Sequence, residues 1–410
     1  MNRNISRDVS EADIGKLVAA MERRLEDTST AYHRPLYSAL DWDDRLVCIK
    51  GAKGTGKTTM MLQFLKEHPE ELERSIYISL DNLWFANRSP LDVADWLQGN
   101  GGGRLFMDEV HHFRQWQTLV KNIYDDYPRI SIVYSGSSMM KISAGEGDLS
   151  RRQRSYELKG LSFREYLEFE GQGSFPVVGL GDLLANHRKI AREIVSRTTV
   201  LPRFRKYLRG GYYPFYKTAR GGYLDRLSSV VCQTLEHDWP ETEDGSLATI
   251  KKAEKMLMIL AESCPQVPKM NELYAELETD RNQGLKMLCA LERAGILSLL
   301  SAKSATLGNL SRPDKIYLDN PNLMFALSPK VETGTVRETF FLNQLKASGH
   351  VVAYPAQGDF KVDGKFLFEV GGKGKTFKQI ADVPNSFVVN DDVEVGFGNK
   401  IPLWLFGFLY

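Results

Sequence analysis

The stretch Gly51-Ala-Lys-Gly-Thr-Gly56-Lys57-Thr58 fits the pattern G-x-x-x-x-G-K-[ST], and it decides the fold of the first part of this chain. The apolar run 45–50 before it predicts a short buried strand, and the apolar spacing of 59–65 behind it predicts a helix. Glycines let the backbone curl so that successive N–H groups point inward, and the start of a helix adds positive potential. Such a loop stabilises a polyphosphate. The sequence therefore predicts a P-loop, a nucleoside-triphosphate site, rather than a chance glycine turn.

Each position of this loop has an expected contact with ATP or Mg²⁺. Lys57 is expected to reach the β- and γ-phosphate oxygens, and the Thr58 hydroxyl is expected to complete the shell of a bound Mg²⁺. The other nucleotide contacts are expected from positions whose backbone N–H or hydroxyl faces the phosphates: Gly51, Gly54, Thr55, Gly56 and Thr59.

A second apolar run, 103–109, ends in two carboxylates, Asp108 and Glu109. The carboxyl end of a strand in a parallel sheet is where ligands for Mg²⁺ and water are delivered. Asp108 is predicted to hold the metal, mostly through water, and Glu109 to orient or deprotonate the water that attacks the γ-phosphate. The alternative is that the pair only caps the next helix. A carboxylate directly after the metal-binding aspartate favours ATP hydrolysis over a GTPase-style switch.

Composition sets broad limits on class and location. The chain has 410 residues, 42% of them hydrophobic, so two or three domains with real cores are expected. The net charge of +1 gives no reason to expect a nucleic-acid or membrane partner, although a local basic face stays open. Four cysteines without C-x-x-C spacing indicate reduced thiols. With no signal-peptide pattern and no apolar run of membrane-spanning length, we expect a cytoplasmic protein.

Strand and helix patterns alternate through residues 1–160. Helical segments separate four candidate strands, at 45–50, 75–80, 104–108 and 129–134. This alternation predicts an α/β fold in which a parallel sheet is joined by crossover helices.

The order of the motifs resembles that of prokaryotic AAA+-type P-loop ATPases of the archaeal-ATPase and STAND-like clade. After the P-loop come FMDEVHHFRQW (106–116), IVYSGSS (132–138), LSRRQRSYELKGLSFREYL (149–167) and YLRGGYYP (207–214). The resemblance covers residues 34–220. It implies an αβα nucleotide core over 1–160, a helical lid over 161–245 and a preference for adenine.

Two polar positions gain expected roles from this resemblance. Ser135 or Ser137, at the tip of a strand, matches the residue that senses the γ-phosphate or the attacking water, although a serine there can also cap a helix. The arginine of the family's L-x-x-R step falls on Arg152, next to Arg151. It is expected as a finger on the γ-phosphate, from the same chain or from a neighbouring subunit of a homo-oligomer. A solvated basic face is the alternative.

Adjacent His111 and His112 do not predict a metal site. Neighbouring side chains diverge on a helix or strand, and no histidine or cysteine follows three or four residues later. A loop or the start of a helix is the expected setting.

The region 246–330 has the pattern of a winged helix. Three amphipathic helices and two strands are predicted in it, at 253–264, 270–277, 281–294, 295–300 and 315–318. In a DNA-binding module, the third helix would present four polar residues to the groove: Arg281, Asn282, Gln283 and Lys286. The small number of basic residues favours the alternative, a module that packs against protein.

The last region, 331–410, resembles the restriction-endonuclease-like module of related ATPases. That module has an acid followed by D…(D/E)-x-K, and three acids match here: Glu338 on a predicted helix, Asp359 at the start of a strand, and Glu369. Two carboxylates would hold Mg²⁺, and a lysine would orient the hydroxide or neutralise the transition state.

One position departs from that pattern. Gly371 stands two residues after Glu369, where the family has lysine, so the nearest candidates are Lys373, the first choice, and Lys375. The module is therefore expected to be degenerate, used for binding or packing. A shifted lysine that still serves an active nuclease, or acids that are ordinary solvated strand residues, are the alternatives.

Two functions of different classes follow. The first is Mg²⁺-dependent ATP hydrolysis that drives a conformational switch engaging a protein or DNA partner. The second is an ATP-regulated, Mg²⁺-dependent DNA nuclease in defence against foreign DNA. A transcription regulator that uses the winged helix is a third.

Overall fold

The computed structural model describes residues 10–137, 149, 151–238, 246–263, 269–302, 313–328, 330–380 and 383–410. The chain divides into two compact units: the first takes in the described residues up to Leu158 together with 237–238, and the second takes in 159–236 and the described residues from 246 on. The predicted boundary between the lid and the region 246–330 falls at 239–245, which lie outside the described residues.

A parallel sheet forms the centre of the first unit. Its strands are β1 (Leu46–Gly51), β2 (Ser75–Ser79), β3 (Gly103–Asp108), β4 (Ile130–Ser137) and β5 (Arg154–Glu157). They lie in the order β2-β3-β4-β1-β5, and all neighbours are parallel. The predicted parallel α/β core is confirmed, and β5 is a strand that the sequence did not predict.

Helices cover both faces of this sheet, because alternate strand residues are apolar on opposite sides. Leu46 and Cys48 of β1 belong to one buried cluster, while Val47 and Ile49 belong to another. The helices of this unit are α1 (Glu11–Asp27), α2 (Pro35–Ala39), α3 (Lys57–Glu67), α4 (Pro69–Leu72), α5 (Pro90–Gly99) and α6 (Trp116–Asp126). Helices α5 and α6 add to the first cluster and α3 to the second, which gives three αβα layers.

The second unit begins with helices and ends with a second sheet. Its helices are α7 (Phe163–Phe169), α8 (Leu180–Val195), α9 (Val200–Gly210), α10 (Tyr223–Gln233), α11 (Leu247–Ser263), α12 (Met270–Glu276), α13 (Arg281–Arg293), α14 (Pro321–Leu327) and α15 (Thr333–Ala347). Its strands are β6 (Leu297–Leu300), β7 (Lys315–Leu318), β8 (Val352–Ala353), β9 (Phe360–Val362), β10 (Phe366–Gly371), β11 (Ser386–Asn390) and β12 (Lys400–Pro402).

Strands β8 to β12 form one mixed sheet in the order β12-β11-β10-β9-β8. Strands β8, β9 and β10 pair antiparallel, whereas β10, β11 and β12 pair parallel. Strands β6 and β7 form a separate antiparallel pair that follows α11, α12 and α13. The order of elements predicted for 246–330 is therefore present, and its use as a winged helix stays a prediction.

Helices α7 and α9 share a core with the end of the chain. Phe163 of α7 and Phe204 of α9 stack edge to face, and Phe204 meets Phe340 of α15 with ring centroids 4.8 Å apart. Phe163 also contacts Phe408 in the final 3₁₀ turn, Leu403–Phe408. The predicted lid segment thus packs within the second unit, and the division into four domains stays a prediction.

Among the described residues, no helix has both the length and the apolar character needed to cross a bilayer.

Candidate active site

The P-loop connects β1 to α3 at the carboxyl edge of the first sheet. Gly54 and Gly56 adopt φ values of 88° and 103°, in the left-handed region that favours glycine. Gly51 is required for a different reason: a Cβ atom there would lie 2.5 Å from the backbone oxygen of Leu158. Two of the glycines therefore set the turn, and the third permits the close approach of a neighbouring strand end.

Lys57 starts α3, and its side chain is buried. Its Nζ donates to the backbone oxygens of Gly51, at 2.9 Å, and Ala52, at 3.3 Å, so the ammonium group lies along the inner edge of the loop. Thr55 is also buried and donates from Oγ1 to Ala52 O at 2.9 Å, while the predicted contact Thr59 is exposed on the first turn of α3.

Asp108 at the end of β3 accepts hydrogen bonds from three hydroxyl groups. Thr58 Oγ1 donates to its Oδ2 at 2.6 Å, Tyr77 donates to the same oxygen at 2.7 Å, and Ser135 Oγ donates to Oδ1. The three donors come from α3, β2 and β4. Thr58 and Asp108 thus bring two hard oxygen donors together, the type of ligand that Mg²⁺ prefers, so the residues present fit that ion.

Glu109 has a backbone conformation that is uncommon for a residue with a side chain. Its φ is 51°, and its N–H faces both Asp108 Oδ1, at 3.1 Å, and Ser135 Oγ, at 3.3 Å. A non-glycine residue held at such a positive φ commonly marks a functional position. The carboxylate lies 3.4 Å from His111 Nδ1 and is about one-fifth exposed, at 21%, so water can reach it.

Two arginines and a tyrosine that the sequence analysis missed support this site. Arg34 donates to the backbone oxygen of Thr55 at 3.1 Å, which braces the loop. Arg24 of α1 donates to the Tyr77 hydroxyl at 2.7 Å. Burial and the charge of Asp108 raise the pKa of Tyr77, so its hydroxyl remains a donor to Asp108. The only signal in the sequence for this support was the tyrosine in the strand predicted at 75–80.

The two positions assigned by resemblance have defined surroundings. Ser135 is fully buried and contacts Asp108, whereas the Ser137 side chain lies outside the described part of the chain. Arg152 forms an ion pair with Asp125 near the end of α6, at 3.2 Å from Nε to Oδ1. The finger role of Arg152 stays a prediction.

The geometry expected for His111 and His112 is wrong. The two residues lie in a 3₁₀ turn, Val110–His112, and their ring centroids are only 4.3 Å apart. One ligand atom from each of Glu109, His111 and His112 lies within 4.8 Å of the other two. A tight turn directly after a strand brings together side chains that would diverge in regular structure.

The three acids predicted in the last region lie in a second polar cluster, which we call the acidic site: Glu338, Asp359, Glu369 and the residues that contact them. Glu338 on α15 accepts hydrogen bonds from Lys315 Nζ and the Tyr317 hydroxyl, both at 2.7 Å. Both donors belong to β7, so the strand pair β6–β7 contributes to this site.

Asp359 lies directly before β9. Its Oδ2 accepts from Val370 N at 2.8 Å, and its pKa is raised to about 6 by burial and by the charges of Glu338 and Glu369. Glu338 and Glu369 therefore both lie within electrostatic range of Asp359.

Glu369 is almost completely buried and pairs with Lys375, whereas the sequence analysis gave Lys373 as the first choice. Lys375 Nζ lies 2.5 Å from Glu369 Oε1, whereas the Lys373 side chain is exposed. Burial alone would lower the pKa of Lys375, but the hydrogen bond to Glu369 and the nearby carboxylates raise it overall. In this structure the lysine of the acidic site is Lys375, because a turn over 372–375, closed by the hydrogen bond from Lys375 N to Gly372 O at 2.9 Å, folds the chain back toward Glu369.

Comparison with known proteins gives a family for part of the chain. Residues 43–167 match a family model described as "AAA domain". An uncharacterized protein of Methanocaldococcus jannaschii is 25% identical over 402 residues, covering 89% of this chain and 84% of that protein.

Solved structures give distant matches. The Aeropyrum pernix Orc1 protein in complex with DNA has 16% identity and a TM-score of 0.32, over 75% of this chain and 90% of that one. The S. cerevisiae Hsp104–ADP complex has 14% identity and a TM-score of 0.32, over 67% of this chain and 41% of that one. The segment 43–167, which is similar to AAA domains, contains the P-loop, Asp108, Glu109, Ser135 and Arg152.

Proposed function

We propose that the first unit hydrolyses Mg²⁺-ATP and that hydrolysis drives a conformational switch which engages a protein or DNA partner. The observation that carries the proposal is the grouping of Thr58, Asp108, Ser135 and Glu109 beside the P-loop.

Each of these residues has a role that its contacts support. Lys57 and the loop N–H groups would bind the phosphates, while Thr58 and Asp108 would hold Mg²⁺, which would supply positive charge to the phosphates. Glu109 orients the attacking water and accepts its proton. Ser135, which contacts both Asp108 and the N–H of Glu109, links the metal ligand to the base.

The contacts of Lys57 support the switch. Its Nζ donates to the loop carbonyls of Gly51 and Ala52, and a bound phosphate would compete for these donors, whereas the Thr58 hydroxyl can offer a lone pair to Mg²⁺ and still donate to Asp108. A ligand that replaces contacts within the protein interacts differently with two arrangements of the loop. Such a difference is required for a ligand to shift a conformational equilibrium.

The test of the base is Glu109→Gln, which keeps the shape of the side chain but removes its basicity. We expect ATP turnover to fall about 100-fold or more while ATP affinity is unchanged. Glu73→Gln, an exposed acid in the same unit, is the matched control. Turnover near the parent rate in Glu109→Gln would show that another residue positions the water.

A second candidate function is carried by the acidic site. Two carboxylates, Asp359 and Glu369, would hold a divalent cation, and Lys375 would orient the hydroxide that attacks a phosphodiester. Burial and the charges of Glu338 and Glu369 raise the pKa of Asp359, and a bound positive ion would favour its charged form against both effects. This function is a Mg²⁺-dependent DNA nuclease that ATP regulates.

The second candidate is tested by incubating supercoiled plasmid with the whole chain and Mg²⁺ or Mn²⁺, with and without ATP. Cleavage that is lost in Glu369→Gln and kept in Glu394→Gln, an exposed acid in the same region, would support the nuclease. Thermal stabilisation by Mn²⁺, present in the parent and absent in Glu369→Gln, reports cation binding without relying on activity. If the parent shows neither cleavage nor stabilisation by Mn²⁺, the acidic site is a packing feature.

A further inference from the structure

A third polar group lies immediately after the aspartate that ends β3. Glu109 turns the chain with φ 51°, and the next three residues form the 3₁₀ turn Val110–His112. The turn places the imidazoles of His111 and His112 side by side, with their planes 34° apart. The carboxylate of Glu109 lies beside them, 3.4 Å from His111 Nδ1.

These distances suit a tetrahedral metal ion. Ligand atoms bound at about 2.0 Å from a tetrahedral zinc lie about 3.3 Å from one another. Glu109 Oε2 and His111 Nδ1 already have that separation, and His112 completes a set within 4.8 Å. Metal binding would require the His112 ring to rotate so that its ligand atom moves from within 4.8 Å to about 3.3 Å of the other two.

The donor set selects the kind of metal. Two imidazoles and one carboxylate suit Zn²⁺ or a similar transition metal, whereas Mg²⁺ prefers oxygen ligands, which Thr58 and Asp108 supply. Glu109 and His112 are only partly buried, so an ion can enter and a water can take the fourth position.

We propose that Glu109, His111 and His112 form a transition-metal site, and that metal bound there withdraws Glu109 from hydrolysis. The inhibitory part rests on the proposed role of Glu109 as the base, while the binding part does not. Lys57, Thr58 and Asp108 are not ligands of this site, so metal should stop turnover without displacing Mg²⁺-ATP.

The binding part is tested on the whole chain without nucleotide, by calorimetric titration with Zn²⁺ and by the visible absorption of added Co²⁺. Besides any ion at the acidic site, the parent is expected to bind one ion with a tetrahedral cobalt spectrum, and His112→Gln is expected to bind that ion about tenfold more weakly or worse. His350→Gln is the matched control, since His350 also contacts a carboxylate, 2.8 Å from Asp363. Equal binding by the parent and His112→Gln, or loss of binding in His350→Gln, would overturn the site.

His111→Gln removes the buried ligand, so its melting temperature is measured alongside binding. A variant that melts like the parent and has lost the cobalt spectrum supports the site. Because His112 is the more exposed ligand, His112→Gln keeps the proposal falsifiable if His111→Gln fails to fold.

The inhibitory part is tested by ATP turnover at saturating Mg²⁺-ATP with micromolar Zn²⁺ added. We expect inhibition in the parent, reversal by a chelator that takes Zn²⁺ but not Mg²⁺, and resistance in His112→Gln. Zinc that binds without slowing the parent would overturn this part. Full turnover in Glu109→Gln would instead overturn the base, and the calorimetric result would be unaffected by it.

Discussion

Asp108 is oriented by donors from three elements, and this determines how it can hold a cation. Tyr77 and Thr58 share Oδ2, while Ser135 and the N–H of Glu109 face Oδ1. Because Tyr77 stays protonated, its hydroxyl fixes the carboxylate and does not add a second negative charge. We therefore infer that Tyr77 positions the metal ligand without itself binding metal or substrate.

Tyr77→Phe tests this positioning role. Loss of a hydrogen bond to a metal-binding carboxylate typically weakens metal affinity about 10- to 100-fold, so the Mg²⁺ concentration for half-maximal turnover should rise by about that factor. Turnover measured against Mg²⁺ at fixed ATP gives this value. Tyr127→Phe is the control, because it removes a similar bond, 2.6 Å to Asp95, in the same unit. A parallel rise in both variants would mean that only fold stability had changed.

At the scale of elements, local pattern predicted the nucleotide core well. The P-loop lies between β1 and α3, and the run before Asp108 is β3, because four of the five strands carry buried apolar residues in a row. The fifth strand, β5, was missed because its residues are mostly exposed and polar, and only its pairing with β1 makes it a strand.

Contacts between distant segments could not be predicted from pattern. The bond from Tyr77 to Asp108 joins neighbouring strands 31 residues apart in sequence, and the choice of Lys375 over Lys373 depends on a turn that spacing alone does not define. The convergence of His111 and His112 depends on the 3₁₀ turn Val110–His112, whereas their side chains were expected to diverge. In each case the deciding information is backbone geometry, not residue type.

Asp359, directly before β9, makes the free energy of unfolding depend on pH. Its pKa is about 6 in the folded chain against an ordinary value of 3.8, so between those pH values the folded state binds more protons than the unfolded state. The contribution of this carboxyl to stability therefore falls as pH rises from about 4 to 6, and remains low above that range.

Asp359→Asn removes the titration while its amide oxygen can still accept from Val370 N. The variant should be more stable than the parent at pH 7.5, and the difference should disappear below about pH 4. Urea unfolding midpoints across this pH range measure the difference. Glu394→Gln, at an exposed position in the same region, is expected to show no such trend. A difference that does not vary with pH would contradict the raised pKa.

At the scale of the whole molecule, the two candidate sites belong to different units. The nucleotide site is built from residues before Leu158, and the acidic site from residues after Lys159. ATP hydrolysis and any cation chemistry at the acidic site are therefore separable activities, and regulation of one by the other is a further hypothesis. Glu109→Gln and Glu369→Gln, each assayed for both activities, distinguish independent sites from coupled ones.

Arg152 is the predicted link between ATP hydrolysis and assembly of the protein. Its ion pair with Asp125 is partly exposed, and such pairs contribute about 1 kcal/mol or less, so breaking this one contact costs little. If it acts as a finger, Arg152→Ala should lower turnover about 1000-fold with ATP affinity unchanged. Arg154→Ala, which removes a neighbouring ion pair to Asp44, should not lower it.

The dependence on protein concentration then distinguishes a finger within one chain from a finger supplied by a neighbour. If the arginine comes from a second copy, the specific activity of the parent falls on dilution, and mixing Arg152→Ala with Lys57→Ala restores activity, since each supplies what the other lacks. Activity that is constant on dilution, together with no rescue in the mixture, places the finger in the same chain. Unchanged turnover in Arg152→Ala would leave Arg152 as a surface ion pair and remove the main reason to expect a homo-oligomer.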